Sequence, residues 1–340
     1  MDTMDDKLMF EEMIKKNNIL KFGKLNIKEN TIVNNAKMLA KIKRLYENEY
    51  EVDDEWYLKY ENIAKLLDKM EYTVCTKKNY YSLLLGIVLH DNNFNGTTHD
   101  INIYINSIKK FNIIKVSNQK NSIVSENKQE QQVSLSFVKD LLSKLQKNEH
   151  FDIYTIIMIL LQYPIRAEVG TFKYTSLLSY NKSKKSKKDD LTYTEGNWLV
   201  IGKSKVMMIR NQYKTAPIYG RINISVEGKA KKAILSYISS RPEVGEGNSI
   251  FGFTEGELSR RLIYLSNKYT GVNLSVNALA KITIKNDIEM ISKRDIKNNV
   301  DAIKSHKNIL RYLQVVGSVR GTSANVLEGS YINETETDSD

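Results

Sequence analysis

Residues 319–333, VRGTSANVLEGSYIN, are rich in hydroxyl side chains, contain glycine near both ends and close on one aromatic, Tyr331. A phenol in that setting is either a packed aromatic that ends a domain or a nucleophile. As a nucleophile it is weak at its own pKa, so it needs neighbours that activate it. Arg166 lies in LLQYPIRAEVGTFKY, just after an apolar run and Pro164. Taken alone it is an arginine at a helix start that satisfies its own turn or pairs with Glu168. Lys214, in NQYKTAPIYG, sits between two alternating stretches, and Lys203 and Lys205 on the preceding turn are its competitors. Cys75 is the sole cysteine, which excludes a disulfide framework and a cysteine-based zinc site. His90, His99, His150 and His306 show no metal-ligand spacing, so neither a metal nor a cofactor is expected.

Lys and Arg outnumber Asp and Glu by 51 to 40, a formal charge of +11, and the last residues, 334–340, are acidic. The rest of the chain is therefore more basic still, which favours a polyanionic partner. Abundant lysine beside abundant Asn and Ile also fits an AT-rich genome, so charge alone does not decide. No run of about 18 apolar residues occurs, and MDTMDDKLMF has neither the basic nor the apolar region of a secretion signal.

These residues need elements to hold them. In TIVNNAKMLAKIKRLYENEY, Ile32, Ala36, Leu39, Ile42, Leu45 and Tyr46 fall on one helical stripe. WYLKYENIAKLLDKM repeats the pattern, Thr76 is read as the cap of a third helix in TKKNYYSLLLGIVLH, and HDINIYINSIKKFNIIK is a fourth. Residues 1–29 form an extension, and 30–115 a small helical bundle. Residues 116–132 are polar and without periodicity, the composition of a linker. Residues 133–333 make the second domain and 334–340 a tail. In that domain SLSFVKDLLSKLQ opens a helix capped by Ser134 or Ser136. YTIIMILLQYPIRAEVGTF predicts a buried helix, a tight turn at Pro164 and a second helix from about Arg166. NKSKKSKKDD reads as a solvated loop. NWLVIGKSKVMMIRNQYKTAPIYGRINISV predicts three antiparallel strands, with Lys214 at a hairpin tip, and helices follow from Lys229. The expected class is mainly α with a small antiparallel β-sheet, α+β.

A helical bundle, a polar linker, an apolar helix running into an arginine, a hairpin lysine, further helices and a late tyrosine form a recognisable order. It resembles the tyrosine recombinase (phage-integrase) family, in particular divergent members from large DNA viruses and mobile elements, over residues from about 30 to 333. The resemblance implies a helical, SAM-like core-binding domain at 30–115 and a catalytic domain at 133–333. It also implies site-specific cutting and rejoining of double-stranded DNA through a 3′-phosphotyrosyl intermediate, by protomers that associate on DNA. By that resemblance Tyr331 is the nucleophile, Arg166 clamps the phosphate and Lys214 is the general acid. Forked guanidinium donors suit the non-bridging oxygens where charge builds.

The match has departures. GTS, at 321–323, stands for a Gly-His-Ser box, and Thr322, nine residues before Tyr331, replaces the histidine. Glu168 follows Arg166 by two residues rather than three. LSVNALAKITIKN matches the helix of the second arginine, but Ala280 occupies that place, Lys281 follows it, and Asn277 stands where His or Lys is usual. Lys281, Arg294, Arg311 and Arg320 are the candidate replacements. The resemblance also places the bundle over the duplex, with Lys37, Lys41, Lys43, Arg44, Lys77 and Lys78 as DNA-binding residues, although lysines on helix faces are ordinarily just solvated. An intracellular protein of the cytoplasm, a viral factory or the nucleus is expected, neither secreted nor membrane-bound. Two alternatives stand beside this reading: a catalytically degenerate relative that binds and organises viral DNA, and a type IB topoisomerase.

Overall fold

A computed structural model describes residues 3–23, 25, 27, 29–51, 55–90, 98–120, 134–185, 193, 195–292, 299–324, 326 and 327. Tyr331, Arg294 and the acidic tail lie outside the described residues. The chain divides into two compact units, 1–121 and 122–340.

The first unit is helical: α1 (Thr3–Phe22), α2 (Glu29–Glu49), α3 (Tyr60–Lys69), α4 (Val74–His90) and α5 (Thr98–Lys120). The stripe on α2 buries Ile32, Ala36, Leu39, Ile42 and Tyr46, as its 3.6-residue period requires. Phe10 of α1 enters the same core, so the N-terminal stretch contributes to packing. Tyr80 and Tyr81 of α4 are buried there too. Helix α4 starts a turn earlier than Thr76: the Thr73 hydroxyl accepts from the Thr76 amide at 3.3 Å. Thr73 therefore plays the capping part assigned to Thr76. Helix α5 continues through residues 116–120, the start of the stretch read as a linker.

In the second unit α6 (Leu135–Lys147) is capped by Ser134, whose hydroxyl accepts from the Phe137 amide. Helix α7 (Phe151–Gln162) buries Ile153, Thr155, Ile156, Ile157, Ile159 and Leu160 on several faces, which is why its sequence shows no polar stripe. Pro164 ends it, and Tyr163 is extended, the conformation favoured before proline.

Two expectations fail here. No α-helix begins near Arg166; a short 3-10 turn (Ala167–Thr171) leads into β1 (Lys173–Ser176). The sheet has four strands and is mixed: β1 pairs parallel with β2 (Asn197–Ile201), while β2, β3 (Val206–Arg210) and β4 (Ile222–Val226) pair antiparallel in sequence order. Four residues are too few for β1 to display alternation. The lysine-rich segment also differs from a loop, since α8 (Leu177–Lys185) includes its first part.

A short helix, α9 (Ala216–Tyr219), lies in the β3–β4 connection. After β4 come α10 (Gly228–Ser239), α11 (Glu255–Thr270), α12 (Val276–Ser292) and α13 (Asn299–Arg320). Thr254 and Glu257 form a reciprocal capping box on α11, and Gly271 ends that helix in the left-handed conformation. The main core joins α6, α7, α10, α11 and the start of α12 to one face of the sheet. Ile284 and Ile288 of α12 pack separately with Ile309, Leu313 and Val316 of α13 and with Leu327.

Candidate functional site

Arg166 occupies the extended residue between Pro164 and the 3-10 turn. Buried Ile165 fixes the chain on one side and buried Val169 on the other. The Arg166 guanidinium is therefore rooted in the core although its side chain is only half-buried. Its Nη1 is buried and has no hydrogen-bond acceptor within the described residues.

Glu168 is not its partner. That carboxylate, 2% exposed, forms an ion pair with Arg210, whose side chain is fully buried at the end of β3. Arg210 Nη1 also donates to the Val319 carbonyl near the end of α13, and the guanidinium lies 4.5 Å from the Tyr213 ring centroid. Burial pushes the Arg210 guanidinium below its ordinary value, Glu168 opposes that, and repulsion from Arg166 adds to the lowering. The two guanidinium groups are thus electrostatic neighbours, and the Glu168 carboxylate is paired with Arg210.

The β3–β4 connection is anchored from both ends. Asn197 Oδ1 accepts from the amides of Asn211 (3.0 Å) and Gln212 (2.9 Å), and its Nδ2 donates to the Gln212 carbonyl (2.8 Å). The Tyr213 hydroxyl donates to the Gly220 carbonyl at 2.6 Å, and the Thr215 hydroxyl donates to the Gly321 carbonyl. Lys214, between two anchored neighbours, is exposed. The connection that carries it contains α9 and is longer than the tight hairpin tip expected from the sequence.

Helix α13 ends against this connection. The Thr322 amide bonds back to the Gly317 carbonyl at 2.9 Å, the long bond of a Schellman ending. Gly321 has φ +68°, and a Cβ there would stand 2.4 Å from the Tyr213 ring, so both backbone and space demand glycine. The GTS sequence is therefore a helix stop pressed onto the lysine-bearing connection, with Thr322 half-buried just beyond it.

Arg320, 7% exposed, reaches the other way. Its Nη1 donates to the Pro164 carbonyl at 2.8 Å and its Nη2 to Asn277 Oδ1 at 2.9 Å. Asn277 lies in the first turn of α12. Ala280, 1% exposed, faces the core. Lys281 is exposed one turn after Asn277, on the same side of the helix as its i+4 neighbour. Arg311 is exposed on α13, more than two turns before Arg320.

Arg166, Lys214 and Thr322 thus lie on segments whose neighbouring residues are bonded, Glu168 to Arg210, Arg210 to Val319 and Thr215 to Gly321, while Arg320 bonds Asn277 and Pro164. Arg210 and the Glu168–Arg210 pair escaped the sequence reading. The available signal was a charged residue closing the apolar strand VMMIR, where a lone arginine needs a partner.

The bundle lysines form a separate group in the first unit. Lys37, Lys41 and Arg44 are exposed on α2, whereas Lys43 is held by Asp6 at 2.6 Å and Lys77 by Asp68 at 2.6 Å. Lys78 is half-buried. Among the described residues no group of His, Cys, Asp and Glu could hold a metal ion, and no helix is long and apolar enough to cross a membrane. No family model, no curated protein and no solved structure matches the chain.

Proposed function

We propose that the second unit is the catalytic domain of a tyrosine recombinase that cuts and rejoins double-stranded DNA. The observation that carries this reading is the buried, acceptor-less Nη1 of Arg166. A guanidinium rooted in a core with a donor left open is suited to a phosphate oxygen. Tyr331, nine residues after Thr322, attacks the phosphorus of a phosphodiester. A 3′-phosphotyrosyl bond forms, the bond to the 5′-oxygen breaks, the phenolic proton passes to water, and the Lys214 ammonium protonates the leaving oxygen. Because the phosphotyrosyl bond keeps the energy of the broken one, rejoining is the reverse attack and needs no nucleotide. Arg166 stabilises the charge that builds on the non-bridging oxygens, and Thr322 donates one hydrogen bond to them. Double-stranded DNA is the substrate, and strand exchange requires protomers that pair on it.

Incubation with nicked suicide duplexes should give a covalent protein–DNA adduct that disappears in Tyr331→Phe. No adduct on any duplex tested rejects the cutting activity. Buried Ala280, where the family has its second arginine, favours a second reading: a DNA-organising protein of the same fold that no longer cuts. DNA binding without an adduct selects it. Relaxation of supercoiled plasmid by monomeric protein would instead select a type IB topoisomerase.

A further inference from the structure

We infer that α1 is a self-association element, through whose outer face two copies of the chain pair antiparallel about a twofold axis without DNA. The inference goes beyond the pairing on DNA invoked above and does not depend on the cutting chemistry. Helix α1 is apolar on two sides. Phe10, Met13 and Ile14 pack into the core of the first unit. On the other side Leu8, Met9, Ile19 and Leu20 are 49%, 50%, 46% and 61% exposed. Glu12 and Lys16 are exposed between them. At about 100° per residue these six positions fall within an arc of roughly 120°, which makes them one stripe along the helix. Single exposed apolar residues are ordinary, whereas a stripe of them on one helix marks a contact surface.

The order of residues along the stripe points to its occupant. The positions are symmetric about Ile14: Leu8 and Met9 lie as far before it as Leu20 and Ile19 lie after it, and Glu12 as far before it as Lys16 after it. A helix with that pattern is its own complement when reversed. In an antiparallel pair Leu8 and Met9 of each copy lie against Ile19 and Leu20 of the other, and Glu12 of each copy faces Lys16 of the other. A parallel pair would set Glu12 against Glu12 and Lys16 against Lys16, so charge selects the antiparallel arrangement. Both charges are available for it. Lys7 is paired with Glu11 and Lys15 with Glu29, whereas no ion pair among the described residues holds Glu12 or Lys16. With its flanks the stripe would bury on the order of 1,000 Å² over both copies, the lower end of specific interfaces. A reversible dimer with a dissociation constant on the order of 10 μM is therefore expected.

The test is sedimentation velocity of the full chain without DNA, over a concentration series that spans the micromolar range. The unaltered chain should shift from monomer to dimer. Leu20→Glu puts a charge into the apolar contact on both sides of the axis and should weaken the dimer about tenfold or more. Glu12→Lys and Lys16→Glu each turn two attractive pairs into repulsive ones and should weaken it roughly three- to tenfold. An equimolar mixture of those two variants restores opposite charges across the axis and should dimerise as the unaltered chain does. Melting curves identify any variant that fails to fold, and if Leu20→Glu does, the two charge variants and their mixture carry the comparison. A chain that stays monomeric throughout the series overturns the inference. So does a dimer that folded Leu20→Glu leaves intact, since it uses another surface. A dimer that Leu20→Glu breaks while both charge variants leave it unchanged overturns the antiparallel pairing of Glu12 with Lys16.

Discussion

The Glu168–Arg210 pair sets the stakes at the scale of single residues. Both side chains are essentially sealed from water, so each charge has lost its hydration and depends on the other. Glu168→Gln or Arg210→Met alone should cost about 3–5 kcal/mol, because each leaves an uncompensated buried charge. The double variant Glu168→Leu with Arg210→Met should recover most of that loss, since replacing a whole buried pair by apolar groups is often near neutral. Denaturant titrations of the three proteins decide it; a double variant no more stable than the weaker single variant would refute the pairing as the source of the cost. The pair was hard to anticipate because its members are 42 residues apart and sit on different elements. Arg166 was legible for a local reason: an apolar helix, a proline and then a charge must place that charge where the core ends.

At the scale of elements, the site depends on how the β3–β4 connection is held. Strand pairing alone would leave an eleven-residue connection, 211–221, free to move, but Asn197 bonds its first residues three times. Asn197→Ala should therefore destabilise the domain by about 2 kcal/mol, the sum of several ordinary hydrogen bonds less relaxation. It should also raise amide hydrogen exchange at Asn211 and Gln212 and slow adduct formation through Lys214. Unchanged exchange at those two amides would mean that the connection is fixed by other contacts. The sheet itself was only partly legible. The apolar β2 and β3 and the alternating β4 are recognisable as strands, whereas β1 is four residues long and is recruited by parallel pairing with β2, a contact that no local pattern announces. The cap at Thr73 was missed for a related reason: Thr73 and Thr76 are both sound capping types, and only the backbone path selects between them.

For the molecule as a whole, the excess of basic residues predicts DNA binding that weakens steeply with salt. On α2 the exposed Lys37, Lys41 and Arg44 are unhindered by the ion pairs that hold Lys43 to Asp6 and Lys77 to Asp68. Neutralising Lys37, Lys41 or Arg44 to Gln should lower the slope of log affinity against log salt by about 0.9 each, one phosphate contact apiece. Lys43→Gln and Lys77→Gln should change it less, because their carboxylate partners already supply a counter-charge. Equal changes at all five positions would show that those ion pairs open when DNA binds. What the sequence determined by itself is what depends on near neighbours: the helical periods, the apolar α7 and a serine cap at the start of α6, with the backbone choosing Ser134 over Ser136. The contacts of Arg320 were decided only by tertiary structure. Arg320 meets Pro164 across 156 residues and Asn277 across 43, and contacts of that range follow from how the core packs α12 and α13, not from any spacing along the chain.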